Sequence, residues 1–191
     1  MKKQVFSYSP RTAAFTIVAT LIGMAILSLN AVSTRVTASS GRGTLDLAHG
    51  AGTTYVQGGT GAGIVGSYPP YTPVLTKLGF HAESNNGVVT GSLDCLALAP
   101  ESVGGVFTSQ SADFTVNVMY VTGAVTGAAV NGNTATLTGT ANVTGLGAGS
   151  DMPFTFVVNN GGPGATAVLT VSGLTFNEVL LEGGAFTVGT H

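Results

Sequence analysis

The chain has 191 residues; 44% are hydrophobic, 7% are charged and 29 are glycine, and the formal net charge is −2. Beyond residue 33 only Arg35, Arg42 and Lys77 are basic, against Asp46, Glu83, Asp94, Glu101, Asp113, Asp151, Glu178 and Glu182, which leaves that part at −5. With no basic stripe to displace counterions from phosphates, nucleic acid is excluded as a partner, as is an anionic membrane surface; the store of apolar and β-branched residues excludes a disordered chain.

Lys2, Lys3 and Arg11 precede an uncharged run at residues 13–29, and small residues follow it in Ala31-Val32-Ser33 and Val36-Thr37-Ala38. This order of basic, apolar and small segments predicts a signal peptide over residues 1–33, cleaved after Ser33 or after Ala38. The alternative is an uncleaved anchor, since roughly 17 to 20 apolar residues span a bilayer. In both cases the basic flank stays inside and the remainder is exported. The expected location is therefore secreted, extracellular or at the cell surface, with membrane contact only through Ala13 to Leu29 if that run is retained. Residues 34–191 are expected to form one β domain, long enough for a core without disulfides.

In chain order, the first strand candidates are residues 44–49 and 53–57, read as a hairpin. A Gly/Pro-rich surface loop at about 58–73 follows, and its Tyr68, Pro69, Pro70 and Tyr71 form a candidate interaction loop of polyproline type. Residues 75–83 and 88–97 are the next strands. Asn85-Asn86-Gly87 lies between them, and Asn and Gly accept the positive φ of the primed hairpin turns. Over residues 112–121 the period is two: Phe114, Val116, Val118 and Tyr120 share one face, Asp113, Thr115, Asn117 and Met119 the other. Residues 133–140, 153–158, 165–172 and 185–188 complete the set. Asn131-Gly132-Asn133, Asn159-Asn160-Gly161-Gly162-Pro163-Gly164 and Glu182-Gly183-Gly184 punctuate the second half. Eight or nine short strands so divided predict an all-β fold, an antiparallel sandwich or barrel-like domain. Its expected core includes Phe114, Val116, Val118, Leu137, Phe154, Phe156, Leu169 and Val171.

Chemistry-bearing residues are sparse. Cys95 is the sole cysteine, so no internal disulfide forms, and its apolar setting predicts a buried small side chain. His49, His81 and His191 lie in no G-x-S-x-G or H-E-x-x-H pattern, which favours structural roles; His81, on a strand beside Phe80, is the one a sheet would most readily set against a distant Ser or Asp. Asp94 and Asp113 read as solvent-facing strand residues rather than a glycosidase pair, and the absence of Trp weakens both glycosidase and lectin readings. Asp151 stands apart from any closely spaced set of calcium ligands. Thr134, Thr136 and Thr138 read as the polar side of an ordinary strand rather than a flat surface-binding face. No cofactor, metal or catalytic residue is expected.

From Phe80 onward the order of motifs resembles the post-collagen-adhesion-protein (post-COAP) type of domain found at the C-termini of bacterial secreted and surface proteins. The residues concerned are Gly79-Phe80-His81-Ala82, Gly91-Ser92-Leu93, Gly132-Asn133-Thr134-Ala135 leading to Thr138-Gly139-Thr140, Phe154 to Val158 running into Asn159 to Gly164, and Gly183-Gly184-Ala185-Phe186-Thr187-Val188. The resemblance covers about residues 79–189. Members of that family often carry an acidic residue where this chain has Asn159 or Asn160 and another after the Pro-Gly. Here Ala165, Thr166 and Ala167 follow, a departure from what a turn-bound cation needs.

The resemblance implies no enzymatic activity. The expectation is a non-catalytic extracellular structural or adhesion module of a bacterial secreted protein, with a protein or surface partner that the sequence does not name. The alternative is a small secreted hydrolase or carbohydrate-binding domain whose site the sequence does not display.

Overall fold

The computed structural model describes residues 44–65, 74–100, 113–181 and 183–189. The candidate signal and its cleavage points, the Tyr68, Pro69, Pro70 and Tyr71 loop, and His191 lie outside the described residues.

Nine strands form one antiparallel sheet: β1 (Thr44–Gly58), β2 (Leu75–Asn85), β3 (Val88–Pro100), β4 (Phe114–Asn131), β5 (Thr134–Gly145), β6 (Gly149–Asn159), β7 (Thr166–Val171), β8 (Leu174–Leu180) and β9 (Ala185–Val188). Each of the first seven pairs with its successor in sequence, and β8 returns to pair with β1, so the meander closes on itself. The barrel-like alternative of the predicted fold class is the one realised: an eight-stranded antiparallel barrel with β9 as an added strand on β1. Closure removes the free sheet edges that an open meander of this length would expose.

β1 makes closure possible because it serves two edges at once. β2 runs along one side of it from Thr44 to Tyr55. On the other side β8 takes the stretch from Thr54 to Gly58 and β9 the stretch from Ala48 to Ala51. The first hairpin expected at residues 44–57 is therefore a single strand. Gly50 and Gly52, which read as turn residues, lie within it, and their missing side chains are needed there. A Cβ at Gly50 would collide with the Ala185 carbonyl and the Phe186 ring, and one at Gly52 with Leu180. A short helix, α1 (Thr60–Val65), then occupies part of the stretch expected to be loop.

The interior is filled by alternation of large and small residues on neighbouring strands. Phe80 on β2 and Phe186 on β9 both pair with Gly50 across β1, and their ring centroids lie 5.5 Å apart over it. Phe156 adds a third ring 5.1 Å from Phe80. The Phe154 ring lies over Gly123 and Gly139 on the two strands preceding β6, where any Cβ would strike it. Leu93, Leu137, Leu169, Val171 and Leu180 fill the remaining layers and are essentially inaccessible.

Most of the expected core is in place, but the face assigned to β4 is not. Val116 is 45% exposed and Tyr120 37%, Phe114 and Val118 are half-buried, and Met119 and Val121 point inward instead. The physical reason is the length of β4. Where the strand pairs on both sides, Met119, Val121 and Val125 face inward, so alternation alone puts Val118 and Tyr120 off the inward face, and Phe114 and Val116 lie beyond two register shifts in the part of the strand that pairs only with β3.

The turns use the expected chemistry. Asn86 (φ 51°) and Gly87 (φ 83°) make the primed turn between β2 and β3. A second, Ser172 (φ 53°) with Gly173 (φ 75°), turns β7 into β8, a strand absent from the sequence-based set.

Replacing Phe156 by Ala should cost roughly 3 to 5 kcal/mol, whereas Val116→Ala should stay within about half a kcal/mol. Urea unfolding of the two variants measures both, and equal losses would mean that the rim is as well packed as the centre.

Candidate functional site

The most unusual group in the barrel is inside it. Glu178 follows the alternation of β8, in which Phe176, Glu178 and Leu180 all face inward, and it is only 2% exposed. Thr54 of β1 and Thr76 of β2, themselves register partners, also face inward and are fully buried. Thr76 Oγ1 donates to Glu178 Oε2 at 2.6 Å, and Thr54 Oγ1 donates to the same oxygen. Glu178 Oε1 has no hydrogen-bond partner. Cys95 of β3 is buried alongside, as its apolar setting predicted.

The electrostatics follow from this placement. Burial raises the Glu178 carboxyl above its ordinary value near 4.5, and the bonds from Thr54 and then Thr76 oppose part of that rise. Burial also pushes the Cys95 thiol well up, the nearby Glu178 carboxylate pushes it further, and Thr76 opposes both. The cluster therefore favours a neutral acid and a neutral thiol: chemistry suited to holding a proton, not to presenting a thiolate nucleophile.

The outer wall carries the remaining candidates, at separate places. His49 Nδ1 lies 2.6 Å from Asp46 Oδ2 on an exposed stretch of β1. His81, the cross-strand partner of both His49 and Ser92, places Nδ1 3.4 Å from Ser92 Oγ. That is a serine and an imidazole in the order hydrolysis uses, but the contact is long, His81 is exposed, and the depression that Ser92 lines does not include His81. The Asp46 carboxylate bonds to the other histidine. Among the described residues, no group of three or more His, Cys, Asp or Glu side chains is placed to hold a metal ion.

Among the described residues, three shallow depressions on the wall bear on function. One crosses β3 to β6 and is lined by Ser92, Asp94, Thr122, Asn142 and Asp151 over small residues such as Ala124. Asp94, Thr122 and Asn142 are successive register partners, and an extra residue in β6 opposite Asn142 turns Asp151 (φ 53°) toward the same row. Tyr120 OH reaches Asp94 Oδ1 at 3.4 Å. Asp94 and Asp113 are exposed, as expected of strand-surface residues, and Thr138 is exposed on the polar side of β5.

The second depression lies where β9 meets β1, bounded by His49, Ala51, Pro163, Gly183, Gly184 and Thr187, with Phe80 at its base. The third is apolar, formed by Pro163, Val179, Leu180 and Leu181 beside Thr53; Tyr55, the register partner of Val179, is 37% exposed.

The Asn159 to Gly164 segment has a structural task. Asn159 accepts from Thr134 at 2.6 Å and donates to Thr166 at 2.7 Å, Asn160 accepts the Val188 backbone N–H, and Gly161 bridges to Phe186. It ties β5, β7 and β9 together through amides, where a cation would need carboxylates. No protein-family model, curated protein or solved structure matches the chain.

Sequence reasoning counted Glu178 only in the net charge. The signal was present in Phe176-Asn177-Glu178-Val179-Leu180, whose period of two sets the acid in line with Phe and Leu.

The folded barrel holds the Glu178 proton more tightly than the unfolded chain does. Its stabilising contribution is therefore complete below the ordinary carboxylate value near 4.5 and is lost as pH rises through the higher value in the barrel. Urea unfolding across this range should show stability falling with pH, and Glu178→Gln should remove that part of the slope. A slope unchanged by the substitution would assign the titration to another group.

Proposed function

We propose that the chain is an exported, non-catalytic structural or interaction module that works through its outer wall. The observation that carries the reading is the filled interior: Phe80, Phe156, Phe186 and the leucine layers occupy the space in which other barrels of this strand number hold a small ligand. The basic-apolar-small order of the N-terminal segment and the resemblance of residues 79–189 to the post-COAP type support export from a bacterial cell and attachment or adhesion there. A protein or surface partner is then the ligand class, and the depressions on the wall are where to look for it.

The test has two arms on the domain starting after residue 33. A serine-reactive fluorophosphonate should leave Ser92 unlabelled, and a panel of ester, peptide and glycoside substrates should give no turnover that His81→Gln abolishes. Binding to cell-wall polymers and matrix proteins should be measured in parallel. Labelling of Ser92, or turnover lost in His81→Gln at unchanged thermal stability, would overturn the reading.

One observation favours the carbohydrate-binding alternative. The Asp94-Thr122-Asn142-Asp151 row sets carboxylates, a hydroxyl and an amide about one strand spacing apart, roughly 4.8 Å, over a small-residue floor with Tyr120 at its edge. This is donor and acceptor spacing that suits vicinal hydroxyls. Titration with neutral oligosaccharides should then shift the backbone amides of β3 to β6, and Asp94→Ala should abolish the shift. Shifts elsewhere, or none, would dismiss this second reading.

A further inference from the structure

The wall of the barrel is thinnest beside its buried acid. Along the inward face of β1 the sequence of positions is Ala48, Gly50, Gly52, Thr54, Val56, so the two places next to the Thr54–Glu178 contact carry no side chain. Gly50 is covered by Phe186 of β9, but opposite Gly52 and Thr53 β8 has ended at Leu180 and β9 has not begun until Ala185. The gap is spanned by the Leu181 N–H to Thr53 carbonyl bond at 2.8 Å and by the close approach of Gly184 to Gly52. A surface depression lined by Gly50, Gly183 and Gly184 reaches Phe80 at this point. From β1 to β6 the barrel wall is held by long ladders, such as the β2–β3 pairing from Leu75 to Asn85, and the β6–β7 ladder, short as it is, runs unbroken from Phe154 to Val158. At the seam β8 follows β1 only from Thr54 to Gly58 and β9 only from Ala48 to Ala51.

A carboxylate in such a place is held only conditionally. Both donors within reach, Thr54 and Thr76, serve Oε2, and Oε1 is left without a partner. With a proton on the acid this is a tolerable neutral hydrogen-bonded group. Without it, an ion with half its lone pairs unsatisfied lies in an apolar core, a state that costs several kcal/mol unless water is admitted. No cation offsets it: among the described residues, the groups facing Glu178 are the hydroxyls of Thr54 on β1 and Thr76 on β2 and the thiol of Cys95 on β3. The neighbouring positions on β7 and β1, Ala167 and Val56, are apolar.

We propose that the β8–β1–β9 seam is a pH-operated opening: protonated Glu178 keeps it shut, and loss of that proton parts the strands at Gly50–Gly52 and Gly183–Gly184, admitting water to Glu178 and Cys95. The rest of the barrel stays paired, so the change is local. An exported module built this way is closed in acidic surroundings and presents its apolar interior around Phe80 and Phe186 as the pH rises.

Cys95 supplies the readout, since it is the sole cysteine in the chain and lies buried within the same cluster. The rate of its modification by 4,4′-dithiodipyridine, which reacts in acid as well as in base, is measured against pH and divided by that of N-acetylcysteine to remove thiol ionisation. Linkage predicts a normalised rate that climbs by up to about tenfold per pH unit between the ordinary carboxylate value and the raised value of Glu178, then levels. In Glu178→Gln the climb should be absent. Hydrogen exchange on the unaltered protein provides the second measurement: protection of the Leu181 amide, which donates across the seam to the Thr53 carbonyl, should fall over the same range while those of Leu137 and Phe156 hold. A pH-independent normalised rate in the native protein would overturn the proposal, as would the same climb in Glu178→Gln or equal loss of protection in β5 and β6.

Discussion

A meander of eight strands becomes a barrel only if its first strand finds its last, and every other feature of this fold depends on how β1 makes that contact. The strand has to satisfy β2 along nearly its whole length and two short strands, β8 and β9, on its other side. Bringing three neighbours around one strand leaves little inward room. Gly50 and Gly52 answer that constraint, letting Phe186 and Leu180 approach the β1 backbone where any Cβ would block them. The three-ring centre of the core exists because one strand has no side chains beneath it.

The same constraint accounts for the position of Glu178. β8 pairs with β1 over so short a stretch that its ladder alone discriminates poorly between registers. A slip of one residue would carry Glu178 out and set Asn177 or Val179 inward, separating the carboxyl from both threonine hydroxyls and leaving the pair only each other as partners. The Thr54–Thr76–Glu178 cluster therefore distinguishes the observed closure from its neighbours in a way that an aliphatic residue at 178 would not. A hydrophobic side chain of similar volume would fill the space at equal or lower cost; the discrimination comes from the polar group.

How much of this was legible depends on which physical rule governed each segment. β5, β6 and β7 pair on both sides along most of their length, so alternation in sequence maps directly onto inside and outside, and Leu137, Phe156 and Leu169 were assigned correctly from period alone. β4 defeated the same rule because both of its faces carry apolar residues: Phe114, Val116, Val118 and Tyr120 form one alternating set, but Met119, Val121 and Val125 are the ones that face the interior. β1 was divided in two because glycines signal turns when read locally, whereas here they are demanded by strands distant in sequence. β8 was missed for a related reason: an acid and an asparagine in a seven-residue run lower its apolar signal, although Ser172-Gly173 marked the turn before it. The cluster around Glu178 joins residues 54, 76, 95 and 178, and only the closed barrel brings them together.

The outer wall divides chemically, and the division bears on what such a module can meet. From β2 to β5 the outward rows are short and polar, His81-Ser92-Ala124-Thr140 and Gly79-Asp94-Thr122-Asn142, each a run of register partners, and the second is continued by Asp151 on β6. Around the seam the wall is apolar instead, with Tyr55, Val179 and Leu181 beside Pro163. Lys77 is the only Lys or Arg among the described residues, so charge steering contributes little to any encounter with a neutral partner, and complementarity has to come from hydroxyls on one side or apolar contact on the other. The apolar side is also the side that the seam governs. A change at Glu178 that parted β8 from β1 would alter Val179 and Leu181 directly and leave the polar rows on β3 to β6 paired as before. Binding through the seam would then vary with pH, whereas binding through the polar rows would not, so the pH dependence of any interaction identifies the side of the barrel that carries it.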